Sequence, residues 1–346
     1  MTTNTLTITR PDDWHLHLRD GNALSGIAQA TAKVFARAIV MPNLVPPVIR
    51  LADASAYRQR IMAALPQHPD FTPLMTLYLT DNTTASDIAE AAQSGIVNGV
   101  KLYPAGATTN SDQGVTDPGN IPHLLEALEK HDLPLLLHGE VTSSDIDIFD
   151  REKVFIDRYL QNIRQQFPAL RIILEHVTTA DAVDFVCEAS DLTAATVTPQ
   201  HLLLNRNDLL AGGLRPHNYC LPVLKRQRHQ QRIQQVVASG HTRFFLGTDS
   251  APHTQHKKES TCGCAGCFSA PAALPLYAAF FEQHNALDKL EGFSSFYGAD
   301  FYRLPRNQST ITLKKSPWVV PDHMQIGEET FIPFAAGQTL DWQVAH

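Results

Sequence analysis

Short apolar runs of strand length alternate with longer amphipathic stretches along most of the 346 residues, and that alternation dictates a parallel sheet with helices against it. Parallel neighbours cannot be joined by a tight turn, so each strand must be followed by a crossover. The strand pattern occurs near Leu6–Leu18, Ala36–Asn43, Thr72–Thr80, Gly99–Tyr103, Leu133–Gly139, Arg171–Val177, Leu192–Thr198 and Thr242–Thr248, eight runs in all. Apolar residues at three- and four-residue spacings mark helices over Asp53 to Leu65, Ala85 to Ser94, Ile121 to Lys130, Phe149 to Phe167 and Val223 to Ala238. Gly95, Pro168 and Gly240 stand where three of these stop. Eight strand-helix units predict an α/β fold, a TIM-type (β/α)8 barrel. Such barrels occupy roughly 200 to 400 residues as one unit, so residues 1–346 read as a single domain. Past the eighth strand, Ala270 to Gln283 has helical spacing, and the remainder reads as a short C-terminal extension packed on the barrel.

Composition narrows the class of function. With 43% hydrophobic and 18% charged residues the chain reads as soluble and globular. It has no apolar run near the ~20 residues that cross a bilayer, so a membrane is not expected as a partner. The opening MTTNTLTITRPDDWHLHL lacks the basic and apolar regions of a secretory signal, which predicts a cytoplasmic protein. A net charge of −7, without a basic block interleaved with aromatics, argues against nucleic acid. Five cysteines, an odd number, suit a reducing compartment. Cys262, Cys264 and Cys267 form C-x-C-x-x-C, but the spacing lacks the paired C-x-x-C of a zinc ribbon. They read as reduced thiols in a glycine-containing loop, and Cys187 and Cys220 as small apolar residues.

The chemistry concentrates at one end of the predicted barrel. His15 and His17, in DDWHLHLRD, are two apart in a strand, so both imidazoles face the same side. In a chain with sixteen histidines that pair alone is only suggestive. Its weight comes from company: Asn43 ends the second strand, Lys101 lies in the fourth, His138 ends the fifth, His176 the sixth, and Asp249 the eighth. Barrel enzymes build their active sites at these carboxyl ends. Each residue has a plainer explanation. Lys101 can reach to the surface along an apolar strand, His138 and His176 can be core histidines, and Asp249 can cap a turn. Together, those explanations require a coincidence at one end of the barrel.

Neutral imidazoles and a carboxylate suit zinc, but an ammonium cannot ligate a cation. Lys101 must therefore lie outside the coordination shell or be chemically changed. Reaction of its neutral amine with carbon dioxide gives a carbamate, an anion whose two oxygens can bridge two metal ions.

The motifs WHLHLRD, MPN, GVKLYP, LLLHGE, LEH and GTDSAPH, in this order through nearly the whole length, resemble those of the bacterial single-function dihydroorotases of the amidohydrolase superfamily. That resemblance implies two divalent ions per chain, zinc or another metal. The first would be held by His15, His17, Lys101 and Asp249, and the second by Lys101, His138 and His176, with Lys101 as N6-carboxylysine. It implies reversible interconversion of dihydroorotate and carbamoyl aspartate in pyrimidine biosynthesis, and a homodimer. The ions would lower the pKa of a shared water and polarise the ring carbonyl, and Asp249 would act as base and then acid.

Substrate choice must come from groups that match the ring's carboxylate. Arg19 offers a planar guanidinium, Asn43 a neutral donor and His253 a third contact. The resemblance adds backbone groups of Leu221 and Ala265 against the ring. For Arg19 the competing explanation is a surface ion pair with Asp20 or Asp13. The polar segment Tyr103 to Asp117 resembles the family's mobile loop, with Thr108 and Thr109 closing over substrate, against the alternative of a turn without catalytic effect. Rival readings are a hydantoinase-like or allantoinase-like enzyme, for which a buried arginine would lack an anionic partner, and a non-catalytic scaffold.

Overall fold

Pro11 divides the first apolar run between two sheets. A computed structural model describes residues 4–345. In it the single strand expected over Leu6–Leu18 is two, β1 (Thr5–Thr9) and β2 (Asp12–Leu16). Pro11 has no N–H to donate to a ladder, so pairing stops there and the chain changes partners. β1 joins an antiparallel sheet outside the barrel, while β2 begins the barrel itself.

β2 is followed by β3 (Arg37–Val40), β4 (Thr72–Leu79), β5 (Val97–Leu102), β6 (Leu135–Leu137), β7 (Ile172–Leu174), β8 (Thr193–Val197) and β9 (Phe244–Leu246). These eight strands pair in parallel in sequence order, as the alternation predicts. The ring closes where β2 meets the segment after β9. Asp249 donates its N–H to the carbonyl of His15 at 2.8 Å, and His17 donates to Ser250 at 2.9 Å. β6, β7 and β9 have only three residues each, so His138, His176 and Asp249 stand just beyond strand ends.

Helices lie between the strands, including Leu51–Ala63, Ala85–Gln93, Pro122–Lys130, Ala180–Glu188 and Gln227–Ala238. The start at Ala85 follows from a capping box, in which Thr84 and Asp87 each satisfy the other's backbone N–H. Val223–Arg226, expected to be helical, is irregular, and the helix begins at Gln227. The end of the barrel opposite the histidines is plugged by aromatic rings. Trp14 stacks on Tyr302 with centroids 4.6 Å apart and meets Phe245 edge-on. Gly298 is required beside that plug, because a Cβ there would fall 2.0 Å from Trp14 Nε1.

The C-terminal extension forms a small sheet of its own. β10 (Thr310–Val319) pairs with β1 on one side and, across a chain segment bearing β11 (Met324–Ile326) and β12 (Glu329–Phe331), with β13 (Thr339–Val344) on the other. Trp342 on β13 is fully buried and donates Nε1–H to Glu282 at the end of helix Ala273–Gln283. Among the described residues, no helix is long and apolar enough to cross a membrane.

Candidate metal centre

Closure of the barrel brings the first ligand set together. His15 Nε2 lies 3.4 Å and His17 Nε2 3.3 Å from the same oxygen, Asp249 Oδ1. The ligand atoms of the three all fall within 4.8 Å of one another, close enough to share one metal ion. The His15 ring lies 5.0 Å from that of His176, which lies 4.8 Å from that of His138. The four imidazoles thus form a chain around the mouth.

Carboxylates behind the rings fix which nitrogen faces inward. His15 Nδ1 lies 2.8 Å from Glu175, so its proton points there and Nε2 presents its lone pair to the centre. His138 is turned the other way, with Nε2 2.9 Å from Glu140, which leaves Nδ1 as donor atom. His176 Nδ1 is buried without a hydrogen-bond partner. Burial is the main cause that pushes the pKa values of His15, His17 and His176 down, and the Lys101 charge adds to it, so the rings are neutral, as metal ligands must be.

Lys101 is the most costly member. Its Nζ is fully buried and has no hydrogen-bond partner. Burial lowers its pKa to about 8, against the opposing pull of Glu175 and Asp249. An unpaired buried ammonium costs several kcal/mol, whereas a carbamate at that position would be a ligand. The register sets Lys101 opposite Tyr78 on β4 and Leu136 on β6, well inside the sheet.

The backbone is strained where two of the candidate ligands turn inward. His176 and Asp249 both have φ of 43°, in the left-handed region that costs a non-glycine residue about 1–3 kcal/mol. Local hydrogen bonds hold them there. Thr196 Oγ1 accepts from His176 N at 2.7 Å. The buried carboxylate of Asp13 accepts from Thr248 N, Thr248 Oγ1 and His15 N. It thereby ties the turn that carries Asp249 to the strand that carries His15. Asp13, Glu140, Glu175 and Thr196 were missed in the sequence, although Glu140 and Glu175 sit within two residues of a ligand in the motifs HGE and LEH.

At the other side of the cavity, Arg19 is half-buried and holds a positive φ of 60°. The surface ion pair considered for it does not form: Asp20 pairs with Arg60 at 2.8 Å, and Asp13 is committed to Thr248. Arg19 Nε instead donates to the Pro252 carbonyl at 2.9 Å, and its Nη2 lies 2.9 Å from His253 Nε2. That His253 nitrogen is also 3.0 Å from the Ala265 carbonyl. Asn43 donates to the Thr109 carbonyl at 2.9 Å, and Asn110 returns a bond to the Asn43 carbonyl at 3.0 Å. The segment 103–117 is therefore tied down over the mouth.

One small cavity collects the singled-out residues, including Thr108, Thr109, Leu221 and Ala265. Two do not line it. Lys101 is buried in the barrel, and His253 lines a neighbouring, more open cavity that Arg19 and Thr109 share. The three clustered cysteines do not converge. Cys262 and Cys264 lie 3.7 Å apart near the surface, while Cys267 is buried and directed at the His217 carbonyl.

A closed parallel barrel with imidazoles, a carboxylate and a buried lysine at its C-terminal mouth is the framework of a metal-dependent hydrolase. The sequence profile described as the Amidohydrolase family matches residues 8–332. A dihydroorotase from Alcanivorax borkumensis is 66% identical over 342 residues, covering 99% of both chains. The solved dihydroorotase of Campylobacter jejuni superposes with a TM-score of 0.91 at 35% identity, over 100% of this chain and 99% of that one. A dihydroorotase from Saccharomyces cerevisiae, in complex with 5-fluoroorotic acid, gives 0.89 at 34% identity over 99% of both. The chain belongs to the amidohydrolase family, in its dihydroorotase branch.

Proposed function

We propose that this protein interconverts L-dihydroorotate and N-carbamoyl-L-aspartate, the ring-closing step of de novo pyrimidine (UMP) biosynthesis. The observation that carries the reading is the half-buried Arg19 guanidinium, free of any carboxylate partner among the described residues and sharing one small cavity with the candidate ligand set. A guanidinium partly withdrawn from water is favoured by an anion beside it, and dihydroorotate brings a carboxylate while hydantoin does not.

The donor set fits a pair of divalent ions, most simply zinc. His15, His17 and Asp249 would hold one and His138 and His176 the other, with Lys101 as N6-carboxylysine between them. The orphaned Lys101 Nζ supports that assignment, because its carbamate would gain partners through it. When bound, such a pair supplies an ionised water at neutral pH and a Lewis acid for the amide carbonyl.

The protein's own groups do the rest. Arg19 grips the ring's carboxylate through two parallel hydrogen bonds, helped by Asn43 and His253. Backbone groups of Leu221 and Ala265 face the ring. Asp249 takes the proton released during attack and returns it to the departing ring nitrogen, base in one half of the reaction and acid in the other. Thr108 and Thr109 hydrogen-bond to the substrate and keep bulk water out. We read the protein as one catalytic domain and as a cytoplasmic homodimer; its free cysteines suit a reducing compartment, and sedimentation checks the assembly.

A direct assay with dihydroorotate and carbamoyl aspartate, run beside hydantoin and allantoin, tests the substrate. Preference for the two neutral rings would sink it. Metal analysis of the reconstituted protein is expected to find close to two ions per chain, and a reproducible single ion would remove the bridged pair.

A further inference from the structure

Tyr103 carries a buried polar atom for which the groups assigned above have no use. Its Oη is out of contact with solvent and without a hydrogen-bond partner, like Lys101 Nζ, but unlike Lys101 it has no place in the proposed ligand set. It lines the same small cavity as Arg19, Asn43, His138 and Asp249. A buried hydroxyl without a partner costs about 1–3 kcal/mol, and phenylalanine would fill the same volume without that cost.

The ring is held still. Tyr103 follows Lys101 by two residues at the end of β5, so both side chains leave the same face of the strand. One neighbour of the ring is Tyr78, 5.1 Å away between centroids. Others belong to the candidate metal centre, with the His138 ring at 6.1 Å and Lys101 Nζ 5.1 Å from the Tyr103 centroid. Its backbone carbonyl accepts from Val115 at 2.9 Å, across the base of the loop. Gly114 allows that approach, since a Cβ there would lie 2.2 Å from the same oxygen.

A rigid, unpaired donor in a binding cavity calls for an acceptor on the ligand. On the substrate read above, the carboxylate is taken by Arg19, which leaves the ring carbonyls. The phenol shares its wall with His138, and its ring lies against buried Lys101, at the end where the amide would be opened. We propose that Tyr103 is a further catalytic residue, donating its O–H hydrogen bond to the carbonyl oxygen of the scissile amide. The bond strengthens as that oxygen gains negative charge, and the proton stays on the phenol throughout. This inference rests on the dihydroorotase reading.

The test is Tyr103→Phe in the full-length, zinc-loaded protein, with kcat, KM and metal content measured against the parent. Removing one oxyanion donor typically lowers kcat by about 100- to 1,000-fold. Here a Lewis acid would act on the same oxygen, so a fall of roughly 10- to 100-fold is expected, with KM within about threefold and metal content unchanged. A kcat within twofold of the parent overturns the proposal. So does a rise in KM at constant kcat, which signals uniform binding, or a loss of metal in step with activity, which makes the phenol a support for Lys101. Parent turnover reports on the function and the parent-to-variant ratio on Tyr103. If the parent opens hydantoin or allantoin instead, the ratio is taken on that ring.

Discussion

Arg19 shows how much one side chain decides. Its neighbours give the guanidinium one carbonyl and one ring nitrogen, enough to orient it but not to neutralise it. The positive φ at Arg19 is held partly by its own carbonyl, which accepts from the buried Tyr57 hydroxyl at 2.5 Å. Strain of this kind persists where the surroundings over-determine it. Replacing the charge by a similar volume should remove substrate binding and leave the metal ligands alone. Arg19→Met is expected to lower kcat/KM for dihydroorotate by the equivalent of about 2–5 kcal/mol, roughly 30- to 4,000-fold, at unchanged zinc content. Metal loss in that variant would mean that Arg19 supports the histidines rather than the substrate.

At the scale of elements, the loop over the mouth is held by its own backbone and by Asn43. Segment 103–117 bridges back on itself between Pro104 and Val115, and it meets Asn43 through reciprocal side-chain bonds. Thr108 and Thr109 therefore offer their hydroxyls to the cavity from a held backbone, with Ser111 Oγ bonded to the Thr108 N–H at 2.8 Å. Replacing both threonines with valine keeps shape and removes two donors. The double variant should lose about 10- to 100-fold in kcat with the barrel and its metals intact, as steady-state kinetics beside metal analysis would reveal. Unchanged turnover would leave the loop a structural turn. The same scale shows what could be read in advance. The strand count was legible because apolar runs punctuated by helical spacing admit few folds, and the gathering of His15, His17 and Asp249 because polar residues closed those runs. The division at Pro11 was not, since apolarity does not say which sheet a strand joins. Nor were the parts played by Glu140, Glu175 and Asp13, because a buried carboxylate and a solvated one are the same letter.

Across the whole molecule, the two chain ends meet in one sheet on the outside of the barrel, β1 against β10 and β10 against β13. That arrangement makes the C-terminal extension part of the domain's stability rather than of its chemistry. Trp342 is its anchor: fully buried, bonded to Glu282, and covered by Lys315, whose Nζ lies 5.6 Å from the ring centroid and 2.6 Å from the Glu282 carboxylate. None of these groups lines the cavity that collects the four histidines and Asp249. Truncating a buried tryptophan to alanine removes its transfer free energy and leaves a void, typically about 3–5 kcal/mol together. Trp342→Ala should therefore melt several degrees below the parent, in one transition if the extension and barrel unfold as a unit. Its kcat for dihydroorotate at a temperature well below that transition should stay within about twofold of the parent. A separate low-temperature transition would instead mark the extension as an independent unit. A lost kcat with the melting temperature preserved would mean that the outer sheet reaches the active site through the barrel, since β1 hands the chain directly to the strand bearing His15.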